Sequence, residues 1–192
     1  MERKVDDKTI LDKFVEDFVR VIDKYVKYIV VSGFVAIAHG RSRGTEDIDM
    51  IIERIPKEKF IELHNALVEN NFECMQSPNP EEIYDRYLTK NLSVRYTRNG
   101  EFLPEMEIKF AKDFLDEYQI KTRRKFLFTG LNIYFSSIET NIAFKEELLK
   151  SDKDLEDARH LRIIYKEDID ENEINKIKQK IREYRLGGKN ER

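Results

Sequence analysis

The sequence holds one cysteine, Cys74, in 192 residues. No internal disulfide is possible, and the chain reads as built for a reducing, cytoplasmic setting. No apolar run approaches the roughly 20 residues of a membrane helix, and the opening MERKVDDKTI has no apolar signal core. Nothing here points to a membrane partner. Internal repeats and low-complexity linkers are also missing. Net positive charge is absent too: 35 Lys and Arg against 38 Asp and Glu give −3, which argues against a general nucleic-acid binder. What the chain has is charge of both signs, 38 % of residues against an average of about 25 %. Lys and Glu dominate and glutamine is scarce, a mix that leans towards a heat-loving source. With 40 % hydrophobic residues the chain can bury a real core, and its length suits one domain with a helical appendage.

Hydrophobic spacing sets the element order. Ile10, Phe14, Phe18, Val21 or Ile22, and Tyr25 recur at steps of three and four, giving an amphipathic helix within 7–25. Tyr28 to Val31 reads as a buried strand, and Phe34 to Ala38 as a short helix that Gly40 can end in a left-handed cap. Glu46 to Glu53 alternates as a strand, and Pro56 opens a helix continued by Phe60, Leu63 and Leu67. A short helix follows near Ile83 to Leu88. Leu92, Val94 and Tyr96 alternate towards the turn Arg98-Asn99-Gly100-Glu101. The returning strand carries Met106, Ile108 and Phe110 on one face. A second hairpin is expected around Thr129-Gly130, between 125–128 and 132–135. Ser136 with Glu139 fits a capping box, and helices are expected over 137–150, 152–166 and 171–186. The fold class is therefore α+β, a mixed sheet packed with helices. Residues 1–135 form the core with its N-terminal helix, and 136–192 a C-terminal helical region.

The stretch HGRSRGTEDIDM, residues 39–50, carries the chemistry. Strand residues two apart point the same way, so Asp47 and Asp49 share a face opposite Ile48 and Met50. Two hard carboxylates there suit Mg²⁺ or Mn²⁺, which leave positions open for substrate phosphates. With 38 acids in the chain, acid-x-acid arises by chance roughly 8 times, so the pair alone is a weak motif. Its place against an apolar run strengthens it. So does Ser32-Gly33, where a strand meets a helix start and free N–H groups favour an anion; the plainer alternative is an ordinary helix cap. Arg41 with Arg43, and the cluster Lys121, Arg123, Arg124 and Lys125, are either phosphate contacts or solvated faces.

Ser32-Gly33, Ala36, His39-Gly40, Arg43, Thr45 and Asp47-Ile48-Asp49 resemble the signature of the polymerase-β nucleotidyltransferase superfamily. The likeness is nearest to the minimal bacterial and archaeal branch that includes AbiEii-type abortive-infection toxins. It covers roughly 28–160. The resemblance implies a nucleotidyltransferase core in which two aspartates and a third carboxylate on a neighbouring strand bind two Mg²⁺ (or Mn²⁺) ions. The Gly/Ser turn would hold nucleotide phosphates. It further implies transfer of a nucleoside monophosphate from a nucleoside triphosphate to an acceptor hydroxyl, with release of pyrophosphate.

The third carboxylate falls to Glu107 or Glu105, which share a strand face. Glu107 is preferred as the one level with the aspartates, because it lies inside the frame of Met106, Ile108 and Phe110. Glu105 follows Pro104, which marks a strand start or edge. The alternative role for Glu107 is a cross-strand partner for an Arg or Lys. The catalytic and metal set is thus Asp47, Asp49 and Glu107; the nucleotide-binding set is Ser32, Gly33, Arg43, Thr45 and Lys145. Lys145 with Lys153-Asp154 and Asp157 resembles the K…KD..D pattern of AbiEii-like members. Lys145 then either touches a phosphate or faces solvent, and Asp154 caps or pairs. His39 is assigned a capping role. The acceptor stays open among an RNA end, a protein and a small molecule. An antitoxin or cognate protein is a further candidate partner. A second class of function, a non-catalytic nucleotide-binding or regulatory protein such as a toxin–antitoxin component, fits the same residues.

Overall fold

Residues 8–187 of the chain, apart from Arg43 and Glu46, are described by the computed structural model. Five strands form one mixed sheet: β1 (Tyr28–Val31), β2 (Asp47–Ile52), β3 (Phe72–Cys74), β4 (Val94–Arg98) and β5 (Glu105–Phe110), in the order β1-β2-β5-β4-β3. The central pair β2 and β5 is parallel and every other pair antiparallel. The period of two decides the rest. Ile48, Met50, Ile52, Met106, Ile108 and Phe110 all point into the main core. There they meet Phe14 and Phe18 of α1 (Ile10–Ile22) and Phe60, Leu63 and Leu67 of α3 (Lys57–Glu69). A fully formed capping box, Thr9 with Asp12, starts α1. The opposite sheet face carries Asp47, Asp49 and Ile51 beside Glu105, Glu107 and Lys109. Part of that face is covered by a small cluster of Ile29, Ile51, Ala111 and Ile120.

The helical part is α6 (Ile138–Phe144), a π-helical turn (Lys145–Leu149), α7 (Asp152–Ile164) and α8 (Glu171–Gly187). Their apolar residues, among them Ile138, Ile142, Leu161, Ile174 and Ile181, form a second cluster that takes Leu115 from α5 (Phe114–Lys121). Partly buried Phe126 packs against both clusters. Among the described residues no helix is long and apolar enough to cross a membrane.

Two local expectations change, and two elements appear without one. The hairpin around Thr129-Gly130 shrinks to one antiparallel bridge, Arg124 to Phe135, above a 3₁₀ turn at Leu127–Thr129 closed by Gly130 at φ 68°. The cause is competition: Phe135 also bridges Val30, and Val30 N–H donates to the Tyr134 carbonyl at 2.8 Å, so the segment docks on β1. The cap of α6 is Ser137, whose side chain accepts from Thr140 N–H, and not Ser136, whose hydroxyl donates to Gln119 at 2.7 Å. Finally, β3 and α5 come with no sequence expectation. The first is a three-residue edge strand, and the second is capped by Asp113, which accepts from Leu115 and Asp116 N–H.

Candidate functional site

Parallel pairing sets Asp47 level with Glu105 and Asp49 level with Glu107. Neighbouring strands lie about 4.8 Å apart, so four carboxylates share a small patch. Only one glutamate was expected to be level with the aspartates; each aspartate has its own. Pro104 sits just before β5, so Glu105 is the first residue of the strand, as its place after proline implies.

Crowding shows most at Asp49. Burial, with the charges of Asp47 and Glu107, pushes its carboxyl above the usual range, while a hydrogen bond with the Ser32 side chain and the Lys109 charge oppose this. Ser32 adopts a positive φ of 66°, uncommon for serine, at the junction of β1 and α2 (Gly33–Ala38). Its side chain makes no cap bond to α2. The hydroxyl is turned to the aspartate, so the ordinary-cap reading of Ser32 is replaced. Gly33 is buried at the first position of α2. Thr45 donates to the Asp47 carboxylate at 2.8 Å and to its carbonyl at 3.1 Å, tying the loop to the strand. Arg43 lies outside the described residues.

Glu107 is held from the other side. Arg95 of β4 is level with it, and Arg95 Nε lies 3.2 Å from both Glu105 Oε1 and Glu107 Oε2. The cross-strand cation is therefore present. Arg95 was missed in the sequence, yet the alternation had the signal: with Val94 and Tyr96 facing inwards, Arg95 must face the acids. The same rule places Lys109 on this face.

Lys145 does not face solvent. It is 2 % exposed, 2.9 Å from Asp157 and 3.4 Å from Asp154, and Asp157 also pairs with Arg41. Arg41 pairs with Glu156 as well, so its charge is committed to α7 and not left for a triphosphate. Ser151 caps α7, accepting from the Asp154 N–H and donating to the Asp154 carboxylate, which also pairs with Lys145. His39, the C-cap residue of α2, is also a core residue. Its ring packs edge-on to Phe126, Phe135 and Tyr165, Nδ1 lies 2.6 Å from the Val35 carbonyl, and burial lowers its pKa to about 4.

A cleft of about 240 Å³ opens between the polar sheet face and the helices. Ser32, Asp49, Lys109, Asp116, Asn141 and Lys145 are among its lining residues. The structure thus brings Asp49, Ser32 and Lys145 to one space, with Asp47 and Glu107 on the adjoining strand face. By donor type, three carboxylates on one face suit Mg²⁺ or Mn²⁺. Among the described residues, however, no three His, Cys, Asp or Glu side chains stand close enough to form a ready metal cluster. Glu107 is drawn to Arg95 and Asp47 to Thr45. The register sets the carboxylates level; holding an ion there would require these side chains to turn towards Asp49.

No family model matches the chain, and no curated protein matches it in sequence. In structure it resembles the antibiotic-resistance factor ANT(2'')-Ia at TM-score 0.56 and 11 % identity, over 94 % of this chain and 96 % of that one. It also resembles an antigenic nucleotidyltransferase-like protein from Paracoccidioides brasiliensis at TM-score 0.50 and 17 % identity, over 92 % and 89 %. At such identities the likeness is one of fold. The chain has an α+β nucleotidyltransferase fold, with the paired aspartates and a level pair of glutamates on its open sheet face.

Proposed function

We propose that the chain is a metal-dependent nucleotidyltransferase of the polymerase-β type, near the AbiEii-like branch. It would transfer a nucleoside monophosphate from a nucleoside triphosphate to an acceptor hydroxyl. Residues 1–135 would form the catalytic core and 136–192 its helical cover. The observation that carries this reading is the register: Asp49 level with Glu107 on parallel central strands, beside Ser32 at the strand–helix turn. The fold likeness to a nucleotidyltransferase-like protein supports it.

Asp47, Asp49 and Glu107 would hold Mg²⁺ or Mn²⁺, which supplies charge neutralisation at the transferring phosphoryl group and the leaving pyrophosphate. Ser32 and Gly33 present the turn to the phosphates, and Thr45 fixes the rotamer of Asp47. Lys145 lends the cleft a positive wall while Asp157 holds it in place, and Arg43 is assigned to the triphosphate by its motif position. The acceptor oxygen bonds to the α-phosphorus, the bond to the β-phosphate oxygen breaks, and the hydroxyl proton passes to a carboxylate of this face. The test is incubation with α-labelled nucleoside triphosphates with Mg²⁺ or EDTA, following the label into an acceptor.

One observation favours a second reading, a non-catalytic nucleotide-binding or regulatory protein such as a toxin–antitoxin component with a protein partner. Arg95 already satisfies Glu105 and Glu107 as a metal would. Nucleotide binding without label transfer would select it.

A further inference from the structure

A larger cleft, about 570 Å³, lies at the other end of the same strands. Lys27, Arg54, Lys121 and Arg123 line it, with Glu53 and Glu117: four cations against two carboxylates, in a chain whose net charge is −3. Among the described residues none of these four cations forms an ion pair, although ion pairs are frequent elsewhere on the surface. The two arginines are instead anchored by neutral groups. Arg54 donates to the Ala111 carbonyl at 2.9 Å and to the Asn91 side chain, with its guanidinium 5.6 Å from the Phe110 ring centre. Arg123 donates to the Tyr28 carbonyl at 3.2 Å and lies 4.1 Å over the Tyr134 ring. Both heads are oriented while their charge stays uncancelled. Glu53 accepts from the Lys27 backbone N–H at 2.8 Å and keeps its charge, so the lining carries a net charge of +2.

The basic strip continues past the cleft. Lys125 lies 4.4 Å over the same Tyr134 ring, and the turn beyond it exposes Leu127 and Phe128. Cations drawn from three segments, next to exposed apolar and aromatic side chains, exceed what one phosphate needs. They match a backbone that repeats its charge and carries bases able to pack on apolar surface. Arginine forks held beside rings also suit phosphate oxygens.

We propose that this cleft binds the phosphodiester backbone of a single-stranded nucleic acid, through Lys27, Arg54, Lys121 and Arg123. The site is separate from the catalytic cleft and does not depend on the transfer reading. Helix α5 contributes a wall to each: Leu115, Asp116 and Gln119 line one, Glu117, Ile120 and Lys121 the other. From Asp49 to Glu53 is four strand residues, roughly 13 Å, a span of about four stacked nucleotides.

The test is fluorescence anisotropy of a labelled oligouridylate with the full chain, between ~50 and ~200 mM salt. With three to four phosphates contacted, log Kd against log salt should have a slope of about 2 to 3. The double variant Lys27→Glu, Lys121→Glu should bind at least tenfold more weakly, and Lys27→Arg, Lys121→Arg should restore binding. Lys27 and Lys121 are exposed, so the fold should hold, and a matching melting curve checks this. Equal binding by the charge-reversed variant would overturn the proposal. So would displacement by poly-glutamate at the same charge concentration, which assigns the cleft to an acidic protein, or by millimolar inorganic phosphate, which assigns it to a small ligand.

Discussion

Asp49→Asn removes one charge from the crowded sheet face and keeps the shape. Carboxylates on level strand positions, about 5.5 Å apart, repel by about 0.7 kcal/mol in water-like surroundings and about 3 kcal/mol at an effective dielectric of 20. Asp49 is destabilised as an anion first by burial, then by Asp47 two residues along its own strand and by the level Glu107, and the hydrogen bond with Ser32 and the Lys109 charge return part of it. An asparagine oxygen can still accept from Ser32, and its amide can donate to a neighbouring carboxylate. We therefore expect the variant to be more stable by about 1 kcal/mol at pH 7 in EDTA, a rise of about 2–4 °C in Tm. The pH dependence follows from the raised pKa. The protonated form of Asp49 favours folding, so this stability is present at low pH and lost as pH rises through the folded pKa. The advantage of the variant should accordingly shrink on acidification and vanish below about pH 4. Mg²⁺ should raise the melting temperature of the parent chain and leave the variant nearly unmoved. Thermal melts across pH, with EDTA or Mg²⁺, give every value needed. A variant several degrees less stable at pH 7, with the same Mg²⁺ response, would refute the crowding argument.

Three other outcomes follow from the same structure. Arg95→Gln should free Glu107 and tighten Mn²⁺ binding up to about fivefold, the worth of an exposed ion pair; calorimetric titration showing weaker binding would mean that Arg95 organises the site. Lys145→Met leaves Asp157 buried without its lysine and should cost about 3 kcal/mol, so transfer must be compared per folded molecule, and an unchanged urea midpoint would contradict the buried pair. His39 has its pKa lowered to about 4, so the folded chain resists its protonation and loses stability as pH falls from about 6.5 to 4; His39→Phe should flatten that stretch of the stability curve, and an identical acid slope would exclude His39 as its cause.

Much of the fold was legible because period and punctuation agree. The strands bearing Asp47, Asp49 and Glu107 alternate cleanly against Ile48, Met50, Met106 and Ile108, and both faces follow from that rule alone. Turn and cap residues such as Gly40 and Asn99-Gly100 located the breaks. What stayed hidden depends on partners distant in sequence. Phe72 sits in a strand of three residues, too short for a period, and is buried by contact with Phe14 and Phe18. The second hairpin failed because Phe135 found Val30. In the site, shared faces could be read but level positions could not, since relative register between β2 and β5 has no local signal. Both pairs are two residues apart on parallel strands, so once Asp49 is level with Glu107, Asp47 is level with Glu105. The ion pairs of Lys145 and Arg41 with α7 were beyond reach for the same reason.

The most direct test of the account compares Glu107→Gln with Glu105→Gln in the transfer of α-labelled nucleoside monophosphate with Mg²⁺. Glu107 is level with Asp49, the aspartate that lines the cleft between sheet and helices, whereas Glu105 is level with the exposed Asp47. The account predicts Mg²⁺-dependent transfer by the parent chain, a loss of orders of magnitude in Glu107→Gln, and little change in Glu105→Gln. Full transfer by Glu107→Gln, or transfer that persists in EDTA, would contradict it.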